Sequence, residues 1–123
     1  MSSDELEISV HISGDLDKPS VFVVLVGAFD GRQARRFDEV AASVPRNASS
    51  VSVDLGETTL IDSAALGALI RLKRSLDGRG VEYITKVSRP FQSQLLRMGG
   101  LTDYLAVVEP GRDGSDGGET TGQ

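Results

Sequence analysis

The sequence contains no cysteine and only one histidine among its 123 residues. Without cysteine, disulfide bonds, thiolate metal sites and thiol redox switches are excluded. Because His11 is the only histidine, a Ser–His–acid triad has a single candidate base. The alternating apolar and polar residues around His11 favour an outward-facing strand residue instead. We therefore expect a binding module with no catalytic residues and no cofactor.

Positive charge and long apolar runs are also scarce. The chain has 13 Lys and Arg against 18 Asp and Glu, for a net charge of -5, and its basic residues never run beyond two. Nucleic-acid binding needs concentrated positive charge, so direct binding is not expected. The N-terminus, M-S-S-D-E-L-E, is unlike a secretory signal, and the longest apolar run, Val21–Val26, is too short to span a membrane. We expect a cytoplasmic protein without membrane insertion.

The chain divides into a domain, residues 1–109, and a tail, residues 110–123. The tail has five glycines and no large apolar side chain, which predicts disorder. Within the domain, apolar patterns predict strands at Ile8–Ile12, Val21–Val26, Val51–Leu55, Val81–Val87 and Leu105–Val108. A loop, G-E-T-T, is predicted after the third strand.

Three helices are predicted between these strands. Asp30 caps the first, and the second begins near Ser63. Ser88 and Pro90 open the third, with Phe91, Leu95 and Met98 facing inward. The continuous, β-branched run Val21–Val26 is typical of a central strand covered on both faces. The order β-β-α-β-α-β-α-β predicts an α/β fold with a mixed sheet packed against helices.

Two other patterns invite a ligand-binding interpretation. G-R-G at Gly78–Gly80 follows a helix and precedes a strand, the reverse of a phosphate-binding loop, so it is interpreted as a helix stop. Asp54, Glu57 and Asp62 lie in a stretch without lysine or arginine. They are too few for a convincing carboxylate metal site, so a solvated acidic loop is favoured and no metal is expected. A partner meeting this face should carry positive charge.

The segment L-I-D-S-A-A-L-G-A, Leu60–Ala68, is the strongest candidate site. Asp and Ser are both preferred helix N-cap residues, so capping explains one of Asp62 and Ser63 but does not require both. The small residues that follow let another surface approach the helix, although they also suit tight packing inside the domain. From the residues alone, a helix cap and a functional site both remain open.

Three segments together resemble the STAS domain of bacterial anti-sigma factor antagonists. G-A-F-D at Gly27–Asp30 is similar to the family's Gly-x-x-Asp, and I-D-S-A-A-L-G is similar to its Asp-Ser-Ser-Gly-Leu-Gly. Ser88–Leu105 is similar to the family's ending in a helix, a glycine and a short strand. The resemblance extends to about Glu109 and implies a single STAS-type domain.

The resemblance also implies a function. Family members bind an anti-sigma factor, often a serine kinase, and thereby release a sigma factor. The kinase then phosphorylates the serine after the motif aspartate, which dissociates the complex, and a phosphatase resets the cycle. By position, Ser63 is the expected phosphorylation site. The expected partner-binding residues are Asp30, Asp62, Ser63, Ala64, Ala65 and Gly67.

The chain departs from the family pattern at two positions. Ala64 stands where the family has its second serine, and Ala65 stands where it has glycine. Some relatives act without phosphorylation. The alternative is therefore a phosphorylation-independent STAS scaffold in a signalling or transporter assembly.

Overall fold

The secondary-structure elements follow the order predicted from the sequence. The computed structural model describes residues 5–109 of the chain, and the predicted tail, residues 110–123, lies outside them. The elements are β1 (Glu7–Ser13), β2 (Ser20–Phe29), α1 (Gly31–Ala42), β3 (Ser50–Ile61), α2 (Ser63–Asp77), β4 (Glu82–Lys86), α3 (Pro90–Met98) and β5 (Val107–Val108). The fifth strand is shorter than predicted.

The strands form one mixed sheet in the order β1-β2-β3-β4-β5. β1 is antiparallel to β2, and the other neighbours are parallel. Each parallel pair is joined through one helix, and such crossovers are right-handed. Because each new strand is added on the same side of the last, all three helices lie on one face of the sheet. The predicted α/β fold, with a mixed sheet packed against helices, is confirmed.

The prediction that Val21–Val26 is covered on both faces is wrong. Alternate residues, Val21, Val23 and Leu25, are buried, whereas Phe22 and Val26 are 37% and 39% exposed. The one-sided placement of the helices explains this pattern, since the opposite face of β2 has no helix against it. A continuous apolar run therefore does not establish that both faces are covered.

The core lies between the helices and the inner face of the sheet. The rings of Phe29 and Phe37 lie 5.2 Å apart within it. Tyr83 is buried on the same side, and burial raises its pKa far above the usual range, against a smaller opposing effect of the hydrogen bond donated by Thr85. Tyr83 therefore stays neutral as part of the core.

Gly27 permits the irregular end of β2. Its φ of +111° is unfavourable for other residues, and a Cβ atom there would lie 2.8 Å from the Glu5 carbonyl oxygen. The pairing of β2 with β3 shifts register next to it, between Gly27 and Ala28. The glycine of the G-A-F-D segment is thus required by the backbone just before Asp30.

The predicted G-E-T-T loop is instead part of β3, where it pairs with β2, and Gln92 of α3 supports it. Gln92 is fully buried, and its Nε2 donates to the carbonyl oxygens of Leu55 at 2.6 Å and Thr58 at 3.2 Å. Its Oε1 accepts from the backbone amides of Ser88 at 2.9 Å and Arg89 at 3.0 Å. One side chain therefore supplies hydrogen bonds to the irregular part of β3 and to the start of α3.

Candidate functional site

The two conspicuous aspartates of the sequence lie side by side in the fold. β2 and β3 are parallel neighbours, and their last residues, Phe29 and Ile61, are paired. Asp30 and Asp62 come directly after them and are the N-cap residues of α1 and α2. The predicted cap at Asp30 is confirmed. Two helices thus begin next to each other at the carboxyl edge of the sheet.

The carboxylate of Asp62 joins the starts of these two helices. Its Oδ1 accepts a hydrogen bond from the Ala65 amide at 2.9 Å, which caps α2. Its Oδ2 accepts from the Gly31 amide, the first residue of α1, also at 2.9 Å. The backbone amide of Asp62 donates to the Phe29 carbonyl oxygen at 3.3 Å. The cap of α2 is therefore Asp62, and its side chain also holds the neighbouring helix.

Asp30 is engaged more locally. Its Oδ1 accepts from the amides of Arg32 and Gln33, at 3.1 and 3.3 Å, within its own helix start. Its Oδ2 lies 3.4 Å from the guanidinium of Arg32, whose side chain is largely exposed. Asp30 thus stabilises α1 alone, whereas Asp62 acts on both helices.

Ser63 is the first residue of α2 and is exposed. In the part of the chain that the structure describes, no hydrogen bond engages its hydroxyl. Ala64 beside it is also exposed, and a Cβ atom at Gly31 would lie 3.5 Å from the Ala64 methyl group. The small residues Gly31 and Ala64 thus let the two helix starts touch while Ser63 stays accessible.

Ala65 does not lie at this surface. It has no exposed area and belongs to the core with Ala68 and Leu69, because it is on the inner side of α2. Its expected place among exposed partner-facing residues is wrong. Gly67 is half-buried, and a Cβ atom there would lie 3.5 Å from the Arg71 guanidinium.

We name this site the helix-start surface. It consists of the exposed residues Gly31, Ser63 and Ala64 and the half-buried Asp30 and Asp62. Sequence reasoning did not identify Gly31 as a site residue, although its position directly after the capping Asp30 pointed to the start of a helix. The surface combines two carboxylates with very small side chains, so a partner can approach the backbone closely.

An apolar groove of about 310 Å³ lies next to the helix-start surface. Its walls are the end of β3 and one side of α3, with Thr59, Leu60, Ile61, Phe91, Gln94, Leu95 and Met98 as lining residues. The prediction that Phe91 and Met98 face inward is wrong, since they are 38% and 77% exposed. Gln92 and Leu96 face the core instead, because the hydrogen bonds of Gln92 set the rotation of α3.

The acidic residues do not converge on a metal site. Among residues 5–109 no three His, Asp or Glu side chains lie close enough together to hold an ion. Asp54 accepts a hydrogen bond from the Gly56 amide, and Glu57 pairs with Arg89 at 3.5 Å. In the same range no helix is long and apolar enough to cross a membrane.

The two capping aspartates should differ in their effect on stability. We expect Asp62→Ala to lower the free energy of unfolding by about 2–3 kcal/mol, because it removes a charged acceptor from two helix starts. The matched change Asp30→Ala removes a cap from one helix and should cost about 1 kcal/mol. Urea denaturation monitored by circular dichroism measures both. Equal losses would contradict the joining role of Asp62.

Comparisons with known proteins place these features in a family. A family model described as "Mlab, STAS domain" matches residues 15–109. None of the curated proteins compared with the chain matches it in sequence.

Solved structures share the fold at low sequence identity. An anti-sigma factor antagonist from Mycobacterium paratuberculosis has a TM-score of 0.73 and 16% identity, over 91% of this chain and 92% of that one. The phosphorylated form of the Bacillus cell fate determinant SpoIIAA has a TM-score of 0.62 and 12% identity, over 85% and 94%. The STAS domain of a SulP transporter from Vibrio cholerae has a TM-score of 0.62 and 20% identity, over 84% and 80%.

The family model covers most of the chain, including the aspartates and the serine of the helix-start surface. The element order, the mixed sheet and the one-sided helices agree with the structural likenesses. The resemblance seen in the three sequence segments is therefore confirmed, and the chain belongs to the STAS domain family.

Proposed function

We propose that the protein is an anti-sigma factor antagonist whose binding is ended by phosphorylation at Ser63. It binds an anti-sigma factor, itself a serine kinase, and thereby releases a sigma factor. The observation that carries the proposal is the setting of Ser63, which is exposed at the first position of a helix anchored by Asp62. The similar structure of an anti-sigma factor antagonist from Mycobacterium paratuberculosis supports it.

The helix-start surface suits contact with a positively charged partner. Asp30 and Asp62 contribute two carboxylates, and Gly31 and Ala64 leave the backbone open to close approach. Opposite charges across an interface speed the encounter and select the partner. The protein acts in this proposal as a cytoplasmic binding module and not as an enzyme, and a phosphatase restores the unmodified form.

Phosphorylation should act at the interface and not on the fold. A phosphoserine adds about -1.5 to -2 charges, and a negative charge at a helix N-terminus gains ~0.3–1 kcal/mol from the helix dipole. Since Ser63 is exposed and its hydroxyl makes no hydrogen bond within residues 5–109, the modification breaks no side-chain hydrogen bond there. Inside a bound interface the same group would be bulky and poorly solvated, so the partner dissociates.

Kinase treatment tests the proposed site directly. Incubation with the cognate anti-sigma kinase and ATP should add one phosphate, which mass spectrometry of tryptic peptides should locate at Ser63. Ser63→Ala should abolish the modification. The matched variant Ser75→Ala, which changes an exposed serine near the other end of α2, should leave it intact. Phosphate found only at another serine would contradict the assignment.

A phosphorylation-independent scaffold is the second candidate function. The similar STAS domain of a SulP transporter supports it, and so does the departure from the family pattern at exposed Ala64. The departure at Ala65 has less weight, because that residue is buried and does not alter the surface. In this case no kinase would modify Ser63, and Ser63→Ala and Ser63→Glu would bind the partner equally well.

A further inference from the structure

The two edge strands of the sheet, β1 and β5, differ in length. β5 at one edge has only two residues, whereas β1 at the other has seven and pairs with β2 along its whole length without a bulge. In the sheet formed by residues 5–109, nothing pairs with the outer side of β1. Exposed edges are usually protected by shortness, charged side chains, proline or a bulge. β1, E-I-S-V-H-I-S, has one charged side chain, Glu7 at its first position, and none of the other protections.

The edge also has an apolar side. Val10 and Ile12 are 42% and 53% exposed, although they lie opposite Val23 and Val21, which are buried in the core. Ile8, opposite Leu25, packs against the core. The apolar inner face of the sheet therefore continues to the edge, beyond the cover provided by the helices.

We propose that β1 pairs antiparallel with β1 of a second copy of this chain across a two-fold axis at Val10. This register pairs all seven residues of the strand, because Val10 is its central residue. Val10 then faces Val10 of the second copy, and Ile8 faces Ile12. The five-stranded sheet continues through both copies, and the apolar row of one joins that of the other on the helix side.

The strand is complementary to itself in charge as well as in pattern. On the opposite face Glu7 meets Ser13 of the second copy and Ser9 meets His11, so no like charges face each other. A shift by one residue would place the apolar row opposite polar side chains, and a shift by two would leave only five residues paired. Residues 110–123, with five glycines and no large apolar side chain, do not match this row.

Pairing at this edge leaves the proposed phosphorylation site open. Ser63 follows β3, which is separated from β1 by β2, and the helix-start surface includes no residue of β1. The dimer would display two such surfaces. The proposed dimer does not depend on the proposed function. Kinase treatment tests the phosphorylation site, and measurement of the molecular mass in solution tests the dimer.

Cysteine cross-linking tests the register, since the chain has no cysteine of its own. Residues directly opposite in an antiparallel pair have Cβ atoms about 4.5–5.5 Å apart, close to disulfide distance. Val10→Cys should therefore form a covalent dimer under mild oxidation. Ser13→Cys is the matched control, because its two copies would lie about 20 Å apart along the strands. It should stay monomeric on a non-reducing gel.

Sedimentation equilibrium of the full chain tests the association itself. The unmodified protein should show a monomer–dimer equilibrium, and Val10→Lys, which sets two ammonium groups opposite each other, should raise the dimer Kd at least tenfold. Circular dichroism verifies that this variant is folded, and the cross-linking result does not depend on it. A protein that stays monomeric at every concentration would overturn the proposal. This holds even if its β1 pairs with a strand of another protein. Equal cross-linking at positions 10 and 13 would overturn it too.

Discussion

Ser63→Glu should weaken binding of the anti-sigma factor by about thirty- to several-thousand-fold. Placing an added charge in a desolvated interface costs roughly 2–5 kcal/mol, which converts to that range of affinity. The melting temperature should change little, because Ser63 is exposed at a helix start that tolerates negative charge. Isothermal titration calorimetry with the purified anti-sigma factor measures the affinity, and differential scanning calorimetry measures the melting temperature.

Ser75→Glu is the matched control for this experiment. Ser75 is an exposed serine on the same helix, twelve residues from Ser63, so it carries the same change of charge to the other end of α2. It should leave the affinity within about twofold of the original, since it lies outside the helix-start surface. Equal weakening by both variants would mean that net charge and not position controls binding. Unchanged affinity in Ser63→Glu would contradict the switch.

Gln92→Leu should cause the largest loss of stability, about 3–4 kcal/mol in the free energy of unfolding. Leucine has nearly the same size but removes the Gln92 amide from the carbonyl oxygens of Leu55 and Thr58. These oxygens keep only the Thr58 hydroxyl at 2.7 Å and the Arg89 guanidinium at 3.4 Å, respectively. It also removes the acceptor for the amides of Ser88 and Arg89. Each of these two amides is left without an acceptor, at a cost of about 1–3 kcal/mol, and part of this cost is recovered because the start of α3 can relax toward solvent. Urea denaturation measures the change.

Gln94→Leu is the matched control, because it makes the same change of side chain and of helix propensity at another position of α3. Gln94 lies in the same helix two residues later and is exposed. The same substitution there should stay within about 0.5 kcal/mol, as surface changes usually do. Similar stability losses in both variants would indicate that leucine disturbs α3 itself. A loss below about 1 kcal/mol for Gln92→Leu would show that the buried hydrogen bonds are replaceable.

Local signals predicted the element order and the cap of α1 at Asp30, and they limited the cap of α2 to Asp62 or Ser63. Capping depends on a side chain and amides two or three residues away, so cap residues are recognisable before their surroundings are known. The second bond of Asp62, to the Gly31 amide, joins residues 31 positions apart. No local pattern contains such a contact, so it required the parallel pairing of β2 and β3.

Errors arose where a distant element decides the environment of a residue. G-E-T-T was predicted as a loop because its polarity is local, while the amide of Gln92 that holds it comes from 34 to 37 residues away. Ala65 looked like surface because it is small and follows Ser63, but the rotation of α2 buries it. Both faces of Val21–Val26 are apolar in sequence, and only the one-sided crossovers show which is covered.

The two bonds of the Asp62 carboxylate also bear on how a kinase would recognise its substrate. Many phosphorylated serines lie in extended segments, where the enzyme reads the neighbouring residues in sequence. Here Ser63 begins a helix whose start is fixed to a second helix by Asp62. An enzyme that modifies Ser63 must therefore accept a folded surface, and its specificity comes from three-dimensional shape more than from a linear motif.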